Sequence, residues 1–138
     1  MKKYLLLLIS FSFLSCGSDD DTLIITDPNA PTPTYSISVT ASSNRDYTLA
    51  GTDENGKVSG NDPSITISVG KTISFSVNAE NHPFYIKTVQ GSGTADQASG
   101  VSNNGATSGV VNWTPSAAGT YYYQCSPHNA MYGTITVQ

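Results

Sequence analysis

The sequence predicts an all-β domain, a sandwich or barrel of about eight short strands. Three observations carry that expectation. Apolar residues recur at every second position in several runs. Gly, Asn and Pro punctuate the gaps between the runs. No segment carries an apolar repeat of helical period.

In the first run Tyr35, Ile37, Val39 and Ala41 alternate with Ser36, Ser38 and Thr40. Successive side chains of a strand point to opposite faces, so such a run has one face for a core and one for water. A short strand is expected at residues 47–49. Ile65, Ile67 and Val69 form the next alternating run, and Ile73, Phe75, Val77 and Ala79 the one after it, with Gly70 at the tight connection between them. Shorter strands are expected at 84–89, 110–113 and 120–125, and Gly133, Ile135 and Val137 close the chain in the same pattern. Residues 90–108 are rich in Gly, Ser, Asn and Ala. A connection that long in a compact domain is either mobile or functional, and here it could cover a site or form a partner surface.

The chain has 138 residues. Lys2 and Lys3 precede an apolar stretch from Tyr4 to Leu14, too short for a comfortable transmembrane helix, and Cys16 follows Phe13-Leu14-Ser15. This start resembles a bacterial lipobox, which implies an export signal at residues 1–15 and a lipidated Cys16. Residues 16–34 hold Asp19-Asp20-Asp21 and then Pro28, Pro31 and Pro33, the composition of a solvated tether. The expected location is therefore extracytoplasmic, anchored to a membrane by lipid. Beyond residue 15 the chain keeps Arg45, Lys57, Lys71 and Lys87 against ten acidic residues, a net charge of −6. So acidic a chain argues against nucleic acid as a partner.

Besides Cys16 and the initiator Met1, the chain has two His, one Cys and one Met. Three of these four soft or borderline metal ligands lie within seven residues, Cys125-Ser126-Pro127-His128-Asn129-Ala130-Met131, and His82 lies 43 residues upstream. Taken singly, His82 reads as a surface or core histidine, Cys125 as an inert buried thiol and Met131 as core filler. Their joint placement reads otherwise. Residues 120–125 and 133–137 are consecutive strands, so Cys125, His128 and Met131 bracket and fill the loop between them. Cys125 shares its strand face with Tyr123 and Tyr121, and His82 begins a strand whose core face holds Phe84 and Ile86. Both segments therefore aim inward near one end of the domain. A lone thiol in an oxidising compartment is a liability unless something such as a metal holds it. Two imidazoles, one thiolate and a weak thioether are the trigonal-plus-axial set of a blue-copper site. Zinc rarely uses Met, and structural zinc prefers four strong N or S donors.

The run from Gly119 through Tyr121-Tyr122-Tyr123-Gln124-Cys125-Ser126-Pro127-His128-Asn129-Ala130-Met131-Tyr132 to Gly133 resembles the C-terminal copper loop of the cupredoxins. It is similar to plastocyanin and pseudoazurin at Tyr-x-Cys-x-Pro-His, and to amicyanin in having two residues between His and Met. The resemblance spans residues 35–138. It implies a Greek-key β-sandwich, one copper ion per chain and electron shuttling to redox partner proteins, with the chain a monomer. It makes His82, Cys125 and His128 equatorial ligands and Met131 axial. It also implies that electrons leave through the loop His within an apolar patch, for which Pro83, Pro127 and Ala130 are candidates. One departure stands out. The family usually places Asn after the upstream His, and its backbone N–H often reaches the Cys sulfur. Pro83 lacks that donor, so a lower reduction potential is expected.

An enzyme is not expected. Two His cannot furnish a multicopper centre within one chain, a binuclear copper site needs a second Cys, and thiol catalysis by Cys125 with a His leaves Met131 unexplained. The rival readings are a membrane-tethered copper carrier or store using the same ligands, and an adhesive sandwich in which the cluster is incidental.

Overall fold

The structure, a computed structural model, describes residues 34–138. The expected signal at 1–15, Cys16 and, apart from Thr34, the expected tether lie outside the described residues. Among the described residues there are ten strands: β1 (Tyr35–Thr40), β2 (Thr48–Asp53), β3 (Gly56–Asn61), β4 (Ile65–Ile67), β5 (Ile73–Asn78), β6 (Phe84–Lys87), β7 (Val101–Ser102), β8 (Ser108–Trp113), β9 (Gly119–Cys125) and β10 (Tyr132–Val137). They form a six-stranded sheet in the order β3-β2-β1-β5-β8-β7 and a four-stranded sheet in the order β4-β10-β9-β6. The chain passes from one sheet to the other after β3, β4, β5, β6, and again after β8. These crossings make the β1–β5 and β4–β10 pairs parallel, and the remaining pairs are antiparallel. The described residues form an all-β sandwich, one of the two architectures the alternation predicts, and its Greek-key type is the one the family resemblance implies.

The alternating runs deliver one apolar face each. Ile37, Val39, Leu49, Ile73, Phe75, Val77, Val111 and Trp113 from the larger sheet meet Ile65, Ile67, Phe84, Ile86, Tyr123, Ile135 and Val137 from the smaller one, all buried. Fully burying a side chain of this size contributes about 1.5–3 kcal/mol. Trp113 is a core residue, as its place in an alternating strand suggests. Its indole N–H donates to the Ser99 carbonyl, and its ring meets Tyr121 edge-on at 4.8 Å.

Two strands were not foreseen. In β3 only Val58 is buried, so the strand carries no alternating apolar signal. It forms because the Asp53–Gly56 hairpin folds it back on β2. The buried Asp53 carboxylate holds that turn, accepting the Asn55 N–H on Oδ1 and the Thr66 N–H on Oδ2. The two-residue β7 lies inside the long connection that follows β6, and this connection is ordered. The backbone of Asp96, Ala98, Gly105 and Ala106 bonds along the outer edge of β6 and just beyond it, at Thr88, Ile86 and Phe84. Asn104 completes the edge by accepting from the Ile86 N–H and donating to the Ile86 carbonyl. The ammonium of Lys87, itself buried, donates to the carbonyls of Gly91 and Gly93 and holds the start of the connection down.

The register places the candidate ligands. Phe84 pairs with Cys125, so His82, two residues before Phe84, comes beside the loop that begins at Cys125. Tyr132 pairs with Gln124, so the loop returns at once into β10 at the same end of the smaller sheet.

Candidate metal centre

His82 closes a turn in which its N–H donates to the Ala79 carbonyl at 2.9 Å. Asn81, the third residue of that turn, has φ +65°, a left-handed conformation that Asn tolerates better than most residues. Pro83 then leads the chain into β6. The carbonyls of His82 and Pro83 both face one hydroxyl, that of Tyr47, at 3.0 Å each. A phenol has one proton to give, so the two carbonyls share it. Tyr47 is fully buried, and its own N–H donates to Asp62 Oδ1 at 2.9 Å.

Cys125 ends β9, fully buried. Its N–H donates to the Met131 carbonyl at 2.9 Å, and the Met131 N–H donates to the His128 carbonyl at 3.1 Å. Those two bonds fold the segment from Cys125 to Met131 into a closed loop. Met131 is fully buried, Pro127, Asn129 and Ala130 are exposed, and His128 is half-buried.

Nδ1 of His82 lies 3.8 Å from the Cys125 sulfur, and Nδ1 of His128 lies 3.4 Å from it. The ligand atoms of the three residues all lie within 4.8 Å of one another. Bonds of about 2.0–2.3 Å that meet near 120° put a nitrogen and a sulfur about 3.8 Å apart. The observed spacing is thus that of three donors around one ion. The two imidazole centroids are 5.0 Å apart. Cys125 lies opposite Phe84 in the register of β6 and β9, and Phe84 belongs to an aromatic cluster: it stacks on Tyr123 at 5.6 Å, meets the edge of Tyr47 at 5.2 Å and lies 5.0 Å from Phe75.

The protonation states suit a soft metal. Burial pushes the Cys125 thiol above its ordinary range, and the nearby Tyr47 hydroxyl and the His128 backbone N–H pull only partly the other way. Burial, and then the neighbouring His128, hold His82 below the ordinary range, so its ring stays neutral and its lone pair stays available. A metal that binds here displaces the Cys125 thiol proton and meets a neutral His82 ring at neutral pH. The donor chemistry fits copper: a thiol, two imidazoles and a thioether residue on the same loop, together the set of a single type 1 site.

The structure brings together His82, Cys125 and His128 and puts Met131 on the same closed loop; Cys16 is not among the described residues. Two residues at the site escaped sequence reasoning. Tyr47 carries no signal in the sequence beyond its place in a short strand. Gln124 is expected on the face of β9 opposite Cys125, which is where it lies, yet it is completely buried. A glutamine set between a tyrosine run and the cysteine is the only hint the sequence offers.

A family model described as copper binding proteins of the plastocyanin/azurin family matches residues 47–138. Among solved structures the chain is similar to rusticyanin from Thiobacillus ferrooxidans, at 23% identity over 75% of each chain with a TM-score of 0.44. It is similar to the periplasmic domain of subunit II of cytochrome oxidase of Bradyrhizobium japonicum, at 17% identity over 78% of this chain and 86% of that one, with a TM-score of 0.48. It is also similar to a reduced mutant of amicyanin, at 28% identity over 55% of this chain and 70% of that one, with a TM-score of 0.38. No curated protein matches.

Proposed function

Because this chain belongs to the plastocyanin/azurin family of copper-binding proteins, we propose that it carries single electrons through one copper ion held by His82, Cys125 and His128, with Met131 as the weak axial ligand. The observation that supports this most is the close spacing of two imidazole nitrogens and one thiol sulfur around one point. Bound copper would supply a one-electron couple between Cu(I) and Cu(II).

The residues of the chain do the rest. The Cys125 sulfur and the Met131 thioether favour the reduced ion, and the two imidazoles accept either state. Phe84, Tyr47 and Tyr123 form a buried cluster beside Cys125, and main-chain bonds hold the ligand loop, so little has to move when the charge changes. His128, half-buried between the exposed Pro127 and Ala130, is the proposed exit for the electron and the place where a redox partner protein docks. Both histidines serve one site, which leaves none for a second, catalytic copper centre. Residues 1–34 support an extracytoplasmic location, with a lipid on Cys16 and a tether of polar and proline residues.

The visible spectrum of the Cu(II)-loaded protein tests the ligand set. An intense thiolate-to-copper band, absent from Cys125→Ser, is expected; a colourless native protein overturns the assignment. Voltammetry tests the role. A fast reversible wave supports the shuttle. Binding of Cu(I) alone, with ready release to a chelator, marks a carrier instead.

A further inference from the structure

One buried side chain touches the main chain of all three proposed ligands on the downstream loop. The amide nitrogen of Gln124 lies 3.0 Å from the Cys125 carbonyl, 2.9 Å from that of His128 and 3.1 Å from that of Met131. A carboxamide nitrogen has two protons, so the three carbonyls share two donors. The other end of the amide is occupied as well. Gln124 Oε1 accepts from the Gln90 side chain and the Gly91 N–H, each at 3.3 Å. The same segment grips the loop directly. Gln90 Nε2 donates to the Asn129 carbonyl at 3.0 Å, the Ser92 N–H to Asn129 Oδ1 at 3.2 Å, and the Gly93 N–H to the Ser126 carbonyl at 2.7 Å.

A side chain of this type on the outer face of a sheet would ordinarily stand in water. Here residues 90–93 close over it and leave it fully buried. A buried amide is costly unless its hydrogen-bonding capacity is met, and this one is met only when the loop has its present shape. Resting on the reading that this loop ligates copper, we propose that Gln124 is a positioning residue. It presets the loop in its ligating shape before metal arrives, and residues 90–93 lock Gln124 in place. The loop then keeps one shape with and without metal, and in both oxidation states.

Hydrogen exchange in the metal-free protein tests this. In Gln124→Leu the Met131 and Cys125 amides should exchange roughly tenfold faster or more, as loss of buried hydrogen bonds implies, with the Val39 amide of β1 unchanged. Gln90→Ala removes the side-chain part of the lock while Gln124 itself is kept, and should show the same local pattern at smaller amplitude, which keeps the test usable if Gln124→Leu does not fold. In the copper-loaded protein, electron self-exchange should be slower in both variants, because the loop now moves with oxidation state; a role confined to stability leaves that rate alone. Unchanged Met131 and Cys125 amides in the variants, or equal acceleration at Val39, overturns the proposal. The exchange measurement needs no metal. A native protein that binds no copper therefore refutes the ligand assignment, not the preset loop.

Discussion

His82 stands on a tight turn whose two following carbonyls rest on a single hydroxyl, that of Tyr47. Cys125, His128 and Met131 share a loop that is closed by its own main chain and gripped by Gln124 and by residues 90–93. One proposed ligand thus rests on one remote contact, and three rest on an overlapping set. Redundancy decides how each half responds to change: the upstream half should fail through single substitutions, and the downstream half should yield by degrees.

The most severe test of that contrast is Tyr47→Ala, which removes the hydroxyl and a buried ring from the aromatic cluster. It should cost about 3–5 kcal/mol, the range for truncating a large buried aromatic. Tyr47→Phe keeps the ring and should cost about 1–3 kcal/mol, because the two carbonyls lose their donor. Thermal unfolding of the metal-free protein reads both. A Tyr47→Phe protein as stable as the native one would show that the upstream turn needs no such support.

The two halves should also differ in how protons leave. Cys125 is held protonated by burial, and His82 is held neutral. The apparent Cu(II) affinity should rise about tenfold per pH unit while the thiol remains protonated, with Cys125 as the source of the proton. Competition against a chelator across pH 6–9 checks the slope, where ~1 proton per ion is expected. A flat profile across this range would mean that the thiol is already ionised in the metal-free protein.

Pro83 sits at the junction of the two halves and has no N–H to offer the sulfur. Pro83→Asn should supply a donor and raise the reduction potential by roughly 40 mV, the equivalent of about 1 kcal/mol in a one-electron couple. A potential that stays or falls counts against a missing hydrogen bond at this position.

The smallest expected effect lies behind Tyr47. Burial pushes the Asp62 carboxyl up to about 6 against the pull of the Tyr47 N–H, and the nearby Asp46 pushes it the same way as burial. A carboxyl raised in the folded state binds more protons there than in the unfolded chain between about pH 4 and 6. Stability from this group therefore falls as pH rises through that window, and the deficit is complete above it. Asp62→Asn, which keeps an oxygen for the Tyr47 N–H, should stabilise the protein at pH 7 by about 1 kcal/mol or less after solvent screening, and by nothing below pH 4. Denaturant unfolding at pH 7 and pH 4 separates the two cases.

The pattern of two-residue alternation made β1, β5 and β10 legible, since each buries one face and wets the other. It could not show β3, whose single buried side chain is Val58, or β7, which exists only because β8 lies beside it. The three donors that converge on one point could be foreseen because their residue types are scarce in this chain and the strand faces fix their direction. Tyr47 and Gln124 could not. Their importance lies in which carbonyls they meet, and those carbonyls belong to residues brought near by sheet register, up to 36 positions away for Tyr47. The connection after β6 was open between mobile and functional because its composition is that of a loop. Its order comes from the hydrogen-bonding demand of β6, Lys87 and Gln124, and side-chain polarity alone does not reveal such a demand.

The bonding of residues 96–106 along β6 has a further consequence. A bare strand edge is a template on which a second chain can add, and sheet proteins avoid aggregation by denying that template. Here the edge nearest the cluster is already taken. The edges that remain are β4 with three residues, β7 with two, and β3, whose outward positions are mostly small or charged. Among the described strands, β4 and β7 are too short and β3 too polar to recruit a neighbour readily. Two copies of the domain that meet are therefore given little encouragement to merge their sheets.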